Sequence, residues 1–153
     1  MILLKSLKAQ HLKMKKNFKT RSIPFSLTRN RHSRETAEDY VEAVQDIIAE
    51  IGECRVRHLA EHFDVSHVTV SRIVKRLQGR ELLPTQPYYP IELTSAGIKL
   101  ARQVTARHKI VLDFLIALGV NKTDAEIDSE GIEHYVGSST LAAMKRFTSN
   151  RLP

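Results

Sequence analysis

Between residues 55 and 78 one apolar pattern occurs twice, with almost no chain between the two copies. Val56, Leu59, Ala60 and Phe63 fall at i, i+3, i+4 and i+7, and so do Val70, Ile73, Val74 and Leu77. That spacing puts each set on one face of a helix. Only Asp64-Val65-Ser66 separates them, and Ser66 can cap the helix that follows. Two short amphipathic helices joined so tightly must share a core with a third element, because neither buries its stripe alone. That element is predicted upstream, over residues 35–51, where Tyr40, Val44, Ile47, Ile48 and Ile51 keep the same period. Ser33 is its expected N-cap and Gly52 its stop. Downstream, 82–85 and 89–93 read as two short strands punctuated by Pro84, Pro87 and Pro90.

Helix, helix, turn, helix, two-stranded ribbon is the order of a winged helix-turn-helix domain. Its use is to seat one helix in the major groove with the N-terminal half facing base edges. With Val70, Ile73, Val74 and Leu77 turned inward, Ser66, His67, Thr69, Arg72 and Arg76 point outward. Arg72 and Arg76, at i and i+4, form one cationic stripe able to meet a guanine or a phosphate. Lys75 and Arg80 extend the basic edge, Arg55 and Arg57 flank the preceding helix, and Tyr88 and Tyr89 sit at the expected wing tip. The partner this predicts is double-stranded operator DNA.

The charge is unevenly spread. The formal net charge is +7, yet residues 1–34 hold ten Lys/Arg and no acid. Taking those from the 24 in the chain leaves 14 Lys/Arg against all 17 Asp/Glu in residues 35–153. The first 34 residues therefore read as a basic arm, either a flexible extension or a source of phosphate contacts, with Met14 as another candidate start. A hydrophobic content of 42% is enough for a core. No apolar run approaches the roughly 18 residues of a membrane span, so no membrane partner is expected. One cysteine, Cys54, excludes a disulfide framework and points to a reducing, cytoplasmic setting. With no nucleophile motif and no glycine-rich phosphate loop, neither an enzyme nor a small organic substrate is expected.

A long helix is predicted from Thr94-Ser95 to Leu118, ended by Gly119; its broad apolar surface suggests a subunit interface or a core. Two shorter helices follow, the first capped by Thr123 or Asp124 and the second by Ser138 or Ser139. The expected fold is mainly α: an arm over 1–34, a winged helix-turn-helix domain with a small two-stranded wing over 35–94, and a C-terminal helical domain over 95–153, to which the resemblance given below assigns metal binding and dimerisation.

Three clusters carry candidate metal ligands. Asp39 and Glu42 are i, i+3 on the first helix; Glu130, Glu133 and His134 are i, i+3, i+4; His108 lies on the long helix between. Together they could wrap one hard divalent cation, or two bridged by carboxylates. Spacing alone favours the plainer reading, charged residues on solvated helix faces.

The segments Glu38-Asp-Tyr-Val-Glu42, Leu59-Ala-Glu-His-Phe-Asp-Val-Ser66, Val70-Ser-Arg-Ile-Val-Lys-Arg-Leu77, Leu93-Thr-Ser-Ala-Gly97, Arg107-His108 and Glu130-Gly-Ile-Glu-His134 change that balance. Through them the chain resembles the metalloregulators of the diphtheria toxin repressor family, in particular the short manganese transport regulator branch, over roughly residues 36–147. The resemblance implies that Asp39, Glu42, His108, Glu130, Glu133 and His134 are the metal ligands, that the chain works as a homodimer, and that Mn²⁺ is a corepressor of manganese uptake genes. One or two Mn²⁺ per subunit are implied, with Fe²⁺ as the alternative cation. Iron-type members resemble this pattern but place sulfur-bearing side chains where Asp39 and Glu133 stand, and a site without sulfur favours Mn²⁺. Tyr135 departs from relatives that often carry a second histidine there. The alternatives are an iron-responsive regulator and a metal-independent winged-helix regulator.

Overall fold

The structure is a computed structural model that describes residues 32–85 and 89–150. Chain proximity divides it into Met1–Arg34 and Glu35–Pro153. The second unit carries everything below; the arm expected over 1–34 lies almost wholly outside the described residues.

Among the described residues the regular structure is helical. Helix α1 covers 32–51. Ser33 therefore lies inside the helix rather than capping it. Nothing in His32-Ser33-Arg34 breaks a helix, and an internal serine costs only about half a kcal/mol. Helices α2 (Val56–His62) and α3 (His67–Gln78) follow as the spacing predicts. The turn between them closes with Val65 N–H donating to the Ala60 carbonyl at 3.0 Å, and Asp64 takes a φ of 50°. Ser66 caps α3: its hydroxyl accepts the Thr69 N–H at 3.2 Å. The three helices bury one core of Val41, Val44, Leu59, Val70 and Leu77, edged by a stacked Tyr40–Phe63 pair with ring centroids 4.4 Å apart.

The expected two-stranded wing is not seen among the described residues, and Tyr88 lies outside them. Neither the described part of 82–85 nor that of 89–93 is a strand, because the backbone donors go elsewhere. Leu82 N–H donates back to Leu77, Ile91 N–H donates to the Cys54 carbonyl at 2.7 Å, and Leu82 O accepts from Thr94 N–H at 3.1 Å. Pro84 and Pro90 have no N–H to give.

Helix α4 (Ser95–Ala117) is the spine of the C-terminal half. Thr94 caps it, accepting the Gly97 N–H at 3.1 Å while its own hydroxyl donates to the Glu81 carbonyl at 2.6 Å. Gly119, at φ 97°, turns the chain out as the sequence predicts. Helices α5 (Lys122–Ile132) and α6 (Ser138–Ser149) both pack on α4, with Phe114 and Phe147 meeting edge to face at 5.3 Å. Their caps differ from expectation. Asn121, not Thr123 or Asp124, caps α5, accepting the Asp124 N–H at 3.0 Å. Gly137 precedes α6 with no side-chain cap, which leaves Ser138 and Ser139 as its first helical residues.

Gly97 fixes how α4 meets the preceding loop. A Cβ there would drive into the backbone carbonyl of Leu82, which cannot swing aside as a side chain can. Gly97→Ala is expected to destabilise the fold by about 1–3 kcal/mol, read as a lower urea midpoint at unchanged slope.

Candidate metal centre and nucleic-acid face

Helix α1 serves two surfaces. One face enters the helix-turn-helix core; Glu38, Asp39 and Glu42 face the C-terminal half. There a cavity of about 650 Å³ is lined by Glu35, Asp39, Glu42, Asp46, His62, His108, Glu130 and His134, among others. Five of the six candidate ligands thus line one cavity, and Glu133, fully buried, touches two of them. Its oxygens lie 3.1 Å from His108 Nδ1 and 3.6 Å from His134 Nε2.

Glu130 and Glu133 share one face, as their spacing suggests, both meeting His108 Nδ1, but His134 lies off the helix. Helix α5 stops at Ile132, Glu133 is its C-cap, and His134 lies beyond. Glu133 and His134 are buried, at 0% and 6% exposure, while Glu130 stays exposed 3.4 Å from His108 Nδ1. His134 Nε2 lies 3.0 Å from Asp39. Glu42 accepts from the Thr105 hydroxyl at 3.0 Å. Among the described residues no three His, Cys, Asp or Glu side chains close on a single point as a metal site does. His108 lies against Glu130 and Glu133, and His134 against Asp39 and Glu133.

The electrostatics of this cluster are unusual. Burial pushes the Glu133 carboxyl up to about 8, with the carboxylates of Glu42 and Glu130 adding to the effect and His134 opposing it. Neither Glu133 oxygen has an aligned hydrogen-bond partner, although both lie within ion-pair distance of an imidazole. Burial also raises the Glu42 carboxyl. Contacts with Asp39 and then Glu38 push His134 up to about 10 against the cost of burial. A buried, unpartnered carboxylate among other oxygens and imidazoles, with no sulfur, suits a hard divalent cation.

Two residues that spacing did not single out as site residues are central here. Glu38 is buried and joined to Arg107 by contacts of 2.7 and 3.3 Å, and Arg107 immediately precedes His108. The adjacent pairs Glu38-Asp39 and Arg107-His108 were the available signal.

On α3, Ser66, His67, Arg72, Lys75 and Arg76 are exposed and Thr69 is half-buried. Ser66 and Thr69 are also tied to each other, hydroxyl to hydroxyl, at 3.0 Å. Val68, outside the apolar stripe, is 68% exposed on the first turn, where it could meet a thymine methyl. Arg55 is held by Glu53 in a two-pronged exposed pair at 2.9 and 3.0 Å, and Tyr89 is exposed.

Two family descriptions match the chain: "Iron dependent repressor, N-terminal DNA binding domain" over residues 32–90 and "Iron dependent repressor, metal binding and dimerisation domain" over 94–151. The chain belongs to the iron-dependent, or diphtheria toxin, repressor family. Within it the chain sits in the MntR branch. It is 42% identical over 124 residues to the "Transcriptional regulator MntR" of Escherichia coli O157:H7, covering 81% of this chain and 80% of that protein. It is 41% identical over 124 residues to the protein of the same name from Salmonella typhimurium, covering 81% and 79%. The family is one of transcriptional regulators, not enzymes. A solved structure of the manganese regulator SloR shares the fold at a TM-score of 0.65 and 24% identity. It aligns with 74% of this chain, which spans 53% of that structure, about half its length. Among the described residues no helix is long and apolar enough to cross a membrane.

Proposed function

We propose that this repressor-family chain is a manganese-responsive DNA-binding transcriptional regulator, active as a homodimer, that represses manganese uptake genes when Mn²⁺ is abundant. The observation that carries the reading is the buried Glu133 carboxylate, unpartnered by hydrogen bonds, beside a cavity of oxygen and imidazole donors from α1, α4 and the end of α5. Asp39, Glu42, His108, Glu130, Glu133 and His134 would hold one or two cations. A bound divalent cation would supply the positive charge that lets the buried Glu133 carboxyl ionise beside its neighbouring carboxylates.

The chain's own residues do the rest. Asp39 and Glu42 belong to α1, whose other face is the core of the DNA-reading head. Glu130, Glu133 and His134 belong to the C-terminal body, and His108 to α4. Drawing these groups together couples the posture of α3 to occupancy of the cavity, by favouring one arrangement of head and body over others. Exposed apolar residues of the body, Ile98, Ile116, Leu118, Ile127 and Ile132, are available for a second copy. Two copies would set their α3 helices about one DNA turn apart, roughly 34 Å. The reading places this work in the cytoplasm.

A gel-shift titration of Mn²⁺, Fe²⁺ and Zn²⁺ against the DNA upstream of the protein's own gene tests the reading. Mn²⁺-dependent retention supports it; retention indifferent to all three cations contradicts it. Arg72→Ala and Arg76→Ala should each weaken retention. A residue that meets phosphate should also lower the salt dependence of binding by about one ion, whereas one that meets a base should relax sequence preference by about 1–3 kcal/mol.

A further inference from the structure

We propose that Glu38 and Arg107 are positioning residues: a buried brace that fixes the His134 ring so that Nε2 faces the cavity. The inference rests on His134 being a ligand, and it concerns what holds that ligand in place.

His134 lies past the end of α5. Its ring is held on both sides. Nδ1 lies 2.9 Å from Glu38 Oε2, and Nε2 lies 3.0 Å from Asp39 Oδ1 and 3.6 Å from Glu133 Oε1. The same Glu38 oxygen is 2.7 Å from Arg107 Nη2, and its other oxygen is 3.3 Å from Nη1. A carboxylate gripped by a guanidinium fork only accepts hydrogen bonds, so Nδ1 carries the proton and donates it. Nε2 is then the nitrogen whose proton a cation in the cavity would displace. An imidazole that donates one N–H to a carboxylate is fixed in tautomer and orientation and is a more basic ligand through its other nitrogen.

The positions of the brace add to this. Glu38 precedes Asp39 on α1, and Arg107 precedes His108 on α4. The Glu38–Arg107 pair joins α1 to α4, and the Glu38 contact with His134 joins both to the segment after α5. The Glu38 side chain is 3% exposed and that of Arg107 21%.

Calorimetric titration with Mn²⁺ tests the role on the full chain, its Glu38→Gln variant and the Glu38→Gln/Arg107→Met double variant. The double variant removes both charges, which guards against simple unfolding from one stranded charge. Both variants should bind Mn²⁺ about 10–100-fold more weakly. Nitrogen-15 NMR of the metal-free parent should show a His134 Nδ1 proton protected from exchange, and Glu38→Gln should speed that exchange while circular dichroism stays unchanged. If the parent binds Mn²⁺ and the variants match it, the brace is overturned and the ligand set stands. A parent that takes up no Mn²⁺ overturns the ligand reading and this role with it. An unprotected Nδ1 in the parent overturns the brace whatever the variants do.

Discussion

Replacing Glu133 by glutamine is expected to abolish Mn²⁺-dependent retention of DNA while leaving the metal-free protein folded. Glu133 is fully buried, its oxygens have no aligned hydrogen-bond partner, and burial holds its carboxyl at about 8. At neutral pH without metal it is mostly protonated, so a near-isosteric neutral amide costs little. Above pH 8 the variant should be the more stable of the two, because it has no buried carboxyl to ionise. Toward Mn²⁺ the loss is one-sided: the amide cannot supply the negative oxygen. A rise of at least about 100-fold in the Mn²⁺ midpoint is expected, larger than for removing a residue that only orients a ligand. Gel shifts against Mn²⁺, paired with thermal melts without metal, check both halves. A variant that still answers Mn²⁺ like the parent would remove Glu133 from the ligand set.

Proton release should be the second large effect. A ligand oxygen or nitrogen must be free of its proton to bind a cation. Glu133 is held up at about 8 and His134 at about 10, so near pH 7 both carry protons that Mn²⁺ must displace. Mn²⁺ affinity should then rise by about 100-fold per pH unit below pH 8, and by about tenfold per unit between 8 and 10. Calorimetry at pH 7 in two buffers of different protonation enthalpy should report about two protons released. The stability of the metal-free protein has the opposite sign. Both groups have folded values above their ordinary ones, 4.5 for the carboxyl and 6.5 for the imidazole. The folded chain therefore binds more protons than the unfolded one, and these contributions are fully present only at low pH. That of Glu133 is lost as pH rises from about 4.5 through 8, and that of His134 from 6.5 through 10. With Mn²⁺ bound the decline should flatten, because neither group then takes up a proton.

Much of the fold was legible because periodicity and turn chemistry agreed. The stripes of α2 and α3, the Ser66 cap and the Gly119 stop all appear where the sequence puts them. The misses have local causes. No strand forms in the described residues around the expected wing, where Pro84 and Pro90 have no N–H to give and Ile91 spends its N–H on Cys54. Asn121 competes with Thr123 and Asp124 for one cap, and single-residue cap choices are poorly separated by propensity. The site was legible as residue types but not as geometry. Glu130, Glu133 and His134 read as one helical face, yet α5 ends inside the motif, so only the two glutamates share that face and His134 follows from beyond the cap. For Glu38 and Arg107 adjacency to Asp39 and His108 was the one signal, because pairing over 69 positions leaves no mark in local spacing.

Anomalous diffraction from crystals grown with Mn²⁺ bears most directly on the clasp between head and body. The expected map has a manganese peak inside the cavity, bonded to oxygens of Asp39, Glu42, Glu130 and Glu133 and to nitrogens of His108 and His134. A peak elsewhere, or those six side chains still paired with one another at saturating Mn²⁺, would contradict it.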